Sequence, residues 1–412
     1  LAGIYIHIPF CRHKCPYCNF FSPATIKYRD PFLLALKKEI QLRRDYLEGE
    51  PVNTLYFGGG TPSLYRPAVL QEIIEMLMAY NNFPDFASVK NPLAPVTHFP
   101  VGKKETNPIS TPPREMAKNI REITIEINPE DVTGPFVNEL KHSSFNRFSV
   151  GIQSFSDNEL VWLKRSHTAH QAIQAVRKLQ EAGFENISID LIYGIPNSTT
   201  TSWQQNLKTA FSLNVPHISA YALTIEPGTP LAWMVKNKKT PAVDEKVQVS
   251  QFKGLMKTAR DHGFYQYEIS NFSLPDRHSI HNTNYWMSIP YLGLGPSAHS
   301  YNGKSRRWNV SSISGYLELL NAGNCFYEEE TLSPVQKYNE YVMTSLRTMW
   351  GCDRQKILSE FGAPFYETFM KSMEPLINKA FLKESQGIYY LTDKGKLFAD
   401  GVASALFVVT PL

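Results

Sequence analysis

The 412-residue chain contains no apolar run of about 18 residues, so a membrane-spanning helix is excluded. Cysteine is scarce: there are five, and three of them fall within eight residues, which does not look like a disulfide framework. Charge of one sign is also scarce. The formal net charge is only +4, and no dense block of Lys and Arg points to nucleic acid as a partner. The start has no basic segment followed by an apolar one, so no secretory signal is expected. Clustered thiols without a disulfide pattern then suit the cytoplasm. The single run of three glycines has no Gly-Lys-Ser/Thr after it, which removes a phosphate-binding P-loop. Apolar residues make up 42 %, the share of a folded globular chain, and the length suggests two or three domains unless an α/β barrel absorbs much of it.

The informative stretch is Cys11-Arg-His-Lys-Cys15-Pro-Tyr-Cys18, a C-x3-C-x2-C loop directly after the alternating run Gly3–Ile8, which reads as a strand. Thiolates are the usual ligands of iron–sulfur clusters. Three of them on a 4Fe–4S cube leave one iron open to a ligand other than cysteine. A structural zinc site needs a closed set of four ligands. The alternative is three buried structural thiols. Arg12, His13 and Lys14 make the loop basic, which favours thiolate over thiol.

The first 230 residues alternate β-branched runs with helical patterns. Strands are expected at Ile4–Ile8, Asn53–Phe57, Glu122–Ile127, Arg147–Ile152, Ile187–Tyr193 and His217–Leu223, nearly all followed by a helix. Six such units imply a parallel sheet with right-handed crossovers, a partial (β/α)6 barrel rather than the full eight. Asn81–Asn119 interrupts the alternation with seven prolines and reads as an inserted surface loop. Residues 233–330 are expected to be an α/β extension, in which Asn271–Gly303 reads as loops and turns. Residues 331–412 suggest a mostly helical, winged-helix-like domain, with a short hairpin formed by Gly387–Leu391 and the Thr392-Asp-Lys-Gly that follows. A winged helix can bind DNA, but Glu328-Glu-Glu330 and the low net charge favour docking.

Polar residues recur at the strand ends: Gly58-Gly-Gly-Thr61 after the second strand, Glu126 in the third, Gln153 after the fourth and Asp190 in the fifth. In parallel α/β folds the ligand lies beyond the carboxyl ends of the strands. Triple glycine lets backbone approach a ligand closely, or makes a tight turn. Glu126 and Asp190 could be solvated strand ends, but Glu126 sits between two isoleucines and calls for a donor such as a ribose hydroxyl. Gln153 and Arg165 suit a carboxylate. Around an open iron this set matches S-adenosylmethionine.

Through these and neighbouring motifs the chain resembles a radical S-adenosylmethionine protein of the oxygen-independent coproporphyrinogen oxidase family. The resemblance rests on Ile6-His-Ile-Pro-Phe10, the cysteine loop, Phe57-Gly-Gly-Gly-Thr-Pro62, Ile125-Glu-Ile-Asn-Pro129, Val150-Gly-Ile-Gln-Ser-Phe155 and Ile189-Asp-Leu-Ile-Tyr-Gly-Ile-Pro196. It implies that Cys11, Cys15 and Cys18 hold the cluster. It places Tyr5 and Tyr17 beside cluster and cofactor, and Gly59, Gly60 and Thr61 against the methionine moiety. Glu126, Gln153, Arg165 and Asp190 match the remaining cofactor contacts. The implied chemistry belongs to the cofactor, a 5′-deoxyadenosyl radical released by the reduced cluster.

One departure separates branches of that family. The oxidases carry a fourth cysteine two residues after the third, and here that position is Phe20. Its absence, His281-Asn-Thr-Asn-Tyr-Trp286, Ala220–Thr229 and Tyr291–His299 resemble the haem-chaperone branch instead. The resemblance then implies a carrier that binds haem as cargo and passes it to an acceptor apo-haemoprotein. It also leads us to expect no coproporphyrinogen oxidase activity; the alternative is that oxidase, which decarboxylates coproporphyrinogen III. A homodimer and a transient contact with a membrane protein stay open. His281 is the candidate axial haem ligand, flanked by Tyr285 and Trp286, with His278 and His299 as competitors. The bland reading of His281 is a histidine satisfied by hydrogen bonds. Cys325 and Cys352 read as buried structural thiols.

Overall fold

The computed structural model describes residues 1–23, 25–81 and 120–409, so the Asn81–Asn119 expectation lies, apart from Asn81, outside the described residues. Six parallel strands form the centre: β1 (Ala2–Ile8), β2 (Val52–Gly59), β3 (Glu122–Ile127), β4 (Arg147–Gln153), β5 (Ile187–Tyr193) and β6 (His217–Ala222). Each pairs with the next in chain order. Every residue of β1 but Tyr5 is buried, and Ile4, Ile6 and Ile8 fill alternate positions along it. The crossover helices start where the side-chain chemistry allows. Thr168 with Gln171 and Thr199 with Ser202 form reciprocal caps on the helices Ala169–Glu181 and Thr200–Ser212.

Residues 233–330 do not form a separate layer. They add strands to both edges of the same sheet. β7 (Tyr265–Glu268) and β8 (Asn271–Ser273) pair antiparallel beyond β6. On the other edge β9 (Tyr291–Leu294) lies parallel to β1, followed by antiparallel β10 (His299–Tyr301), β11 (Ser305–Asn309) and β12 (Tyr327–Thr331). Among the described residues the sheet has twelve strands and stays open, with edges at β12 and β7. This overturns the loop expectation for Asn271–Gly303, which holds β8, the helix Ile280–Trp286, β9 and β10. Strands of three or four residues are too short to show a period, and the helix is held by distant partners rather than by its own propensity.

A buried ion pair locks the extension to the barrel. Glu39 on the helix Arg29–Leu42 accepts from Gly295 N at 2.8 Å, Asn309 Nδ2 at 2.7 Å and Tyr316 Oη at 2.6 Å. Arg43, one turn on, reaches Ser300 Oγ at 3.1 Å and lies 3.6 Å from Glu39.

The C-terminal region has its own core around Tyr338, Val342, Phe369 and Leu376. The helices Pro334–Leu346, Arg354–Phe361 and Ala363–Asn378 pack on a three-stranded antiparallel sheet. Its hairpin runs from Leu382 to Leu391 and turns at Gln386 and Gly387, both at positive φ. The turn therefore precedes Ile388–Leu391, and Thr392 instead caps the next short helix. Among the described residues, no helix is long and apolar enough to cross a membrane.

Candidate functional site

A cavity of about 890 Å³ opens over the carboxyl ends of the parallel strands. Cys11, Cys15, Cys18 and Tyr17 form one wall. Gly59, Gly60, Thr61, Glu126, Gln153, Arg165 and Asp190 line the rest. The cysteine loop is tied down from outside. Arg12 forms an ion pair with the buried Asp131 at 2.7 Å, and Asp131 accepts from Ser63 Oγ at 2.6 Å. His7 Nε2 lies 2.9 Å from the carbonyl of Phe21.

The three thiols are free. Thr61 Oγ1 donates to Cys11 Sγ at 3.5 Å, and Arg165 Nη1 lies 3.7 Å from Cys15 Sγ. Burial pushes the Cys18 thiol up, with a backbone contact at Phe20 opposing it. Burial also raises the Tyr17 phenol, against the pull of Arg165. Among the described residues, no three His, Cys, Asp or Glu side chains are placed to hold a single metal ion. A cube makes a different demand, because each thiolate binds its own iron. Three thiols on one cavity wall, with a hydroxyl and a guanidinium beside them, fit that donor set.

Arg165 is fixed by Asn128 Oδ1 at 2.7 Å and the carbonyl of Gly151 at 2.9 Å, while among the described residues its buried Nε has no partner. Burial works against its charge, but Tyr17, Cys15 and Glu130 hold its pKa above the ordinary value. Gln153 ends β4 at φ 70°, an unusual conformation for a residue other than glycine, beside an irregularity in the pairing with β5. Two carboxyls share the cavity. Burial pushes Glu126 up to about 7, although Tyr56 Oη donates to it at 2.7 Å and Gly59 N at 3.1 Å. Burial pushes Asp190 up to about 6 despite bonds from Ser219 and Ser149. Both are short of donors, which suits a ligand that brings hydroxyls.

The glycines serve the chain before any ligand. A Cβ on Gly59, at φ 104°, would sit 2.5 Å from the His7 ring, and one on Gly60 would sit 2.5 Å from the carbonyl oxygen of Phe10. The N–H groups of Gly60 and Thr61 bond to the carbonyls of Ile8 and Phe10 at 2.8 and 2.7 Å. The motif thus stitches β2 to the start of the cysteine loop, and those two amides are already used.

Two expected site residues lie elsewhere. Tyr5 lines a neighbouring cleft and bonds His7 Nδ1 at 3.0 Å. His281 is buried at the amino-terminal ends of the strands. Its Nδ1 meets Thr54 Oγ1 and its Nε2 meets Tyr285 Oη, both at 2.8 Å, and its ring stacks on Tyr56. Burial lowers its pKa to about 3. With both nitrogens engaged, His281 is a floor residue of the barrel and not an open metal ligand. Trp286 packs under Arg347 rather than beside a cavity. Cys352 is buried, but Cys325 is exposed, contrary to expectation, because it lies in the turn before β12. Sequence reasoning passed over Asn128, which joins Arg165 to Thr61 Oγ1 at 3.2 Å. It sits in the quoted Ile125–Pro129 motif and was legible there. The segment Lys396–Gly401, which closes the cavity from the C-terminal region, carried no such signal.

Comparison with known proteins agrees with this geometry. The pattern of the radical SAM superfamily matches residues 5–210. The Heme chaperone HemW of Mycobacterium tuberculosis is 30 % identical over 409 residues, covering 98 % of this chain and 94 % of its own length. This chain is a radical SAM protein of the HemN/HemW family. As in that family, a HemN C-terminal domain follows, at residues 332–398. The Heme chaperone HemW of Bacillus subtilis is 28 % identical, with 98 % of this chain and 99 % of its own covered. The radical SAM fold extends to the structure of coproporphyrinogen III oxidase (HemN) from Escherichia coli, with a TM-score of 0.79 at 21 % identity, covering 99 % of this chain and 90 % of that one.

Proposed function

We propose that this protein is a cytoplasmic haem chaperone. It binds haem and passes it to an acceptor haemoprotein, and it carries a 4Fe–4S cluster and S-adenosylmethionine in the strand-end cavity. The observation that carries the reading is the end-to-end likeness to relatives named heme chaperone HemW. Phe20 supports it, since it stands where the oxidases carry a fourth cysteine and is 62 % exposed.

In this reading Cys11, Cys15 and Cys18 hold three irons, and Thr61 and Arg165 steady two of the sulfurs. Glu126 and Asp190 accept from ligand hydroxyls, and Arg165 offers its partnerless Nε. Bound there, the cofactor would supply a 5′-deoxyadenosyl radical when reduced. Lys396–Gly401 cover the cavity and limit the entry of water.

Haem titration of anaerobically reconstituted protein tests the function. A shifted Soret band and transfer to an apo-haemoprotein are expected; an unchanged haem spectrum would remove the chaperone reading. Cys15→Ala should lose the visible absorption of the cluster. Incubation with reductant, S-adenosylmethionine and coproporphyrinogen III should leave the substrate unchanged, whereas efficient decarboxylation would favour the oxidase.

A further inference from the structure

A second cleft, of about 570 Å³, lies on the other side of the cysteine loop, between the loop, the β9–β11 extension and the helix Pro334–Leu346. Its size is that of a small-molecule site, roughly 300–1,000 Å³. Phe20, Tyr291, Tyr301, His299, Arg306 and Met343 line it. We propose that this cleft receives the haem cargo, with His299 as the axial ligand of the iron.

His299 opens β10 and stands opposite Trp308 on β11, the two rings stacked at 6.3 Å. Its ring lies beside this indole and the Arg306 charge, and among the described residues no hydrogen bond takes either of its nitrogens. Of the three histidines that the sequence offered as haem ligands, His281 has both nitrogens engaged, and His278 sits between Tyr267 and Trp350 away from the cleft. His299 alone combines a free ring with a cavity wall. The next residue, Ser300, anchors the strand, its hydroxyl accepting from the buried Arg43 and from Gly293 N.

The other walls match the rest of the cargo. Phe20 and Met343 are 62 % and 39 % exposed, apolar surface that a flat macrocycle would cover. Tyr291 and Tyr301 supply aromatic faces. Arg306 lies over Tyr301 and bonds Glu340 at 2.8 Å, which leaves further guanidinium N–H groups for a propionate. Soft side chains, a free imidazole and an arginine in one cleft describe an iron porphyrin better than a sugar or a nucleotide. Asn19 and Phe20 line both this cleft and the cluster cavity, directly after Cys18. The wall between cargo and cluster is therefore one loop.

The assignment rests on the chaperone reading, and the test separates the two. Cluster-loaded wild type and His299→Ala are titrated with ferric haem, with and without imidazole, and with metal-free protoporphyrin. Wild type should bind haem with a shifted Soret band. His299→Ala should bind haem at least tenfold more weakly with the band displaced, and imidazole should restore the band. Metal-free porphyrin, which needs no axial ligand, should bind both proteins alike, and Arg306→Ala should weaken it several-fold. A wild-type haem spectrum in His299→Ala overturns the assignment. So does equal loss of haem and metal-free porphyrin in that variant, which would make His299 a mere wall. Failure of wild type to bind haem at all removes the chaperone reading itself.

Discussion

Glu126 shows how a buried carboxyl couples binding to protons. Its folded pKa of about 7 lies above the ordinary 4.5, so the folded state binds a proton more tightly than the unfolded chain. Stability from this group is full below pH 4.5, falls as pH rises to 7, and is flat beyond. The difference is about 3 kcal/mol. Urea unfolding of ligand-free protein against Glu126→Gln should show that slope in the wild type alone. His281 acts with the opposite sign. Its pKa of about 3 lies below 6.5, so its neutral form contributes full stability above pH 6.5, lost as pH falls toward 3. His281→Ala should cost about 2–4 kcal/mol, because it leaves Thr54 and Tyr285 without their partner and opens a hole beneath Tyr56. Thermal unfolding checks this. The residue scale is also where sequence reading was strongest and weakest. Cysteine spacing and strand-end positions identified the cavity set, since a motif reports which residues are used. It could not report which way His281 points, because that depends on a strand more than 200 residues away.

At the scale of elements, the helix Ile280–Trp286 is short and rich in Asn and Thr, and its stability is borrowed. Glu122, the first residue of β3, accepts from Ile280 N at 2.8 Å, His281 N at 2.9 Å and Ser279 Oγ at 3.0 Å. Its carboxylate also lies 3.9 Å from the buried Arg147. Glu122→Ala leaves a buried charge and two helix amides unpaired, and should destabilise by about 3–5 kcal/mol. Glu122→Gln should cost less, with denaturant midpoints as the measure. No local pattern reveals such a helix. The six central strands were legible for the opposite reason: apolar side chains recur at alternate positions along them. β7 was legible as the strand pattern of Phe264–Ile269, but β8 to β11 are too short, and too dependent on neighbours already in the sheet, to be read that way.

For the whole molecule, the C-terminal region closes one side of the cavity through the segment Lys396–Gly401. Arg260 pairs with Asp393 at 2.9 Å, Lys396 Nζ reaches Gln266 Oε1 at 2.9 Å, and Met349 N bonds the carbonyl of Tyr267 at 2.9 Å. The Arg260–Asp393 pair is solvent-exposed, and its worth is about 0–1 kcal/mol. Arg260→Ala combined with Lys396→Ala should therefore leave Tm nearly unchanged. It should nevertheless speed bleaching of the cluster by a chelator, since the segment Lys396–Gly401 loses its bond to Gln266 and the Asp393 anchor just before it. Equal bleaching rates would mean that this segment does not limit access.

The pairing of β1 with β9 has a consequence for how the chain reaches this state. β1 is made before the rest of the sheet, yet Gly3–Ile6 find their partners at Tyr291–Leu294, which lie 288 residues further along the chain. Until then one edge of an apolar central strand stays unpaired, the kind of edge that templates aggregation. Such non-local pairing also folds slowly. A fragment ending at residue 232 would keep that edge open permanently. It should recover poorly from inclusion bodies and associate through β1, whereas the full chain refolds once the extension is present. Size-exclusion chromatography of the two refolded chains would reveal the difference.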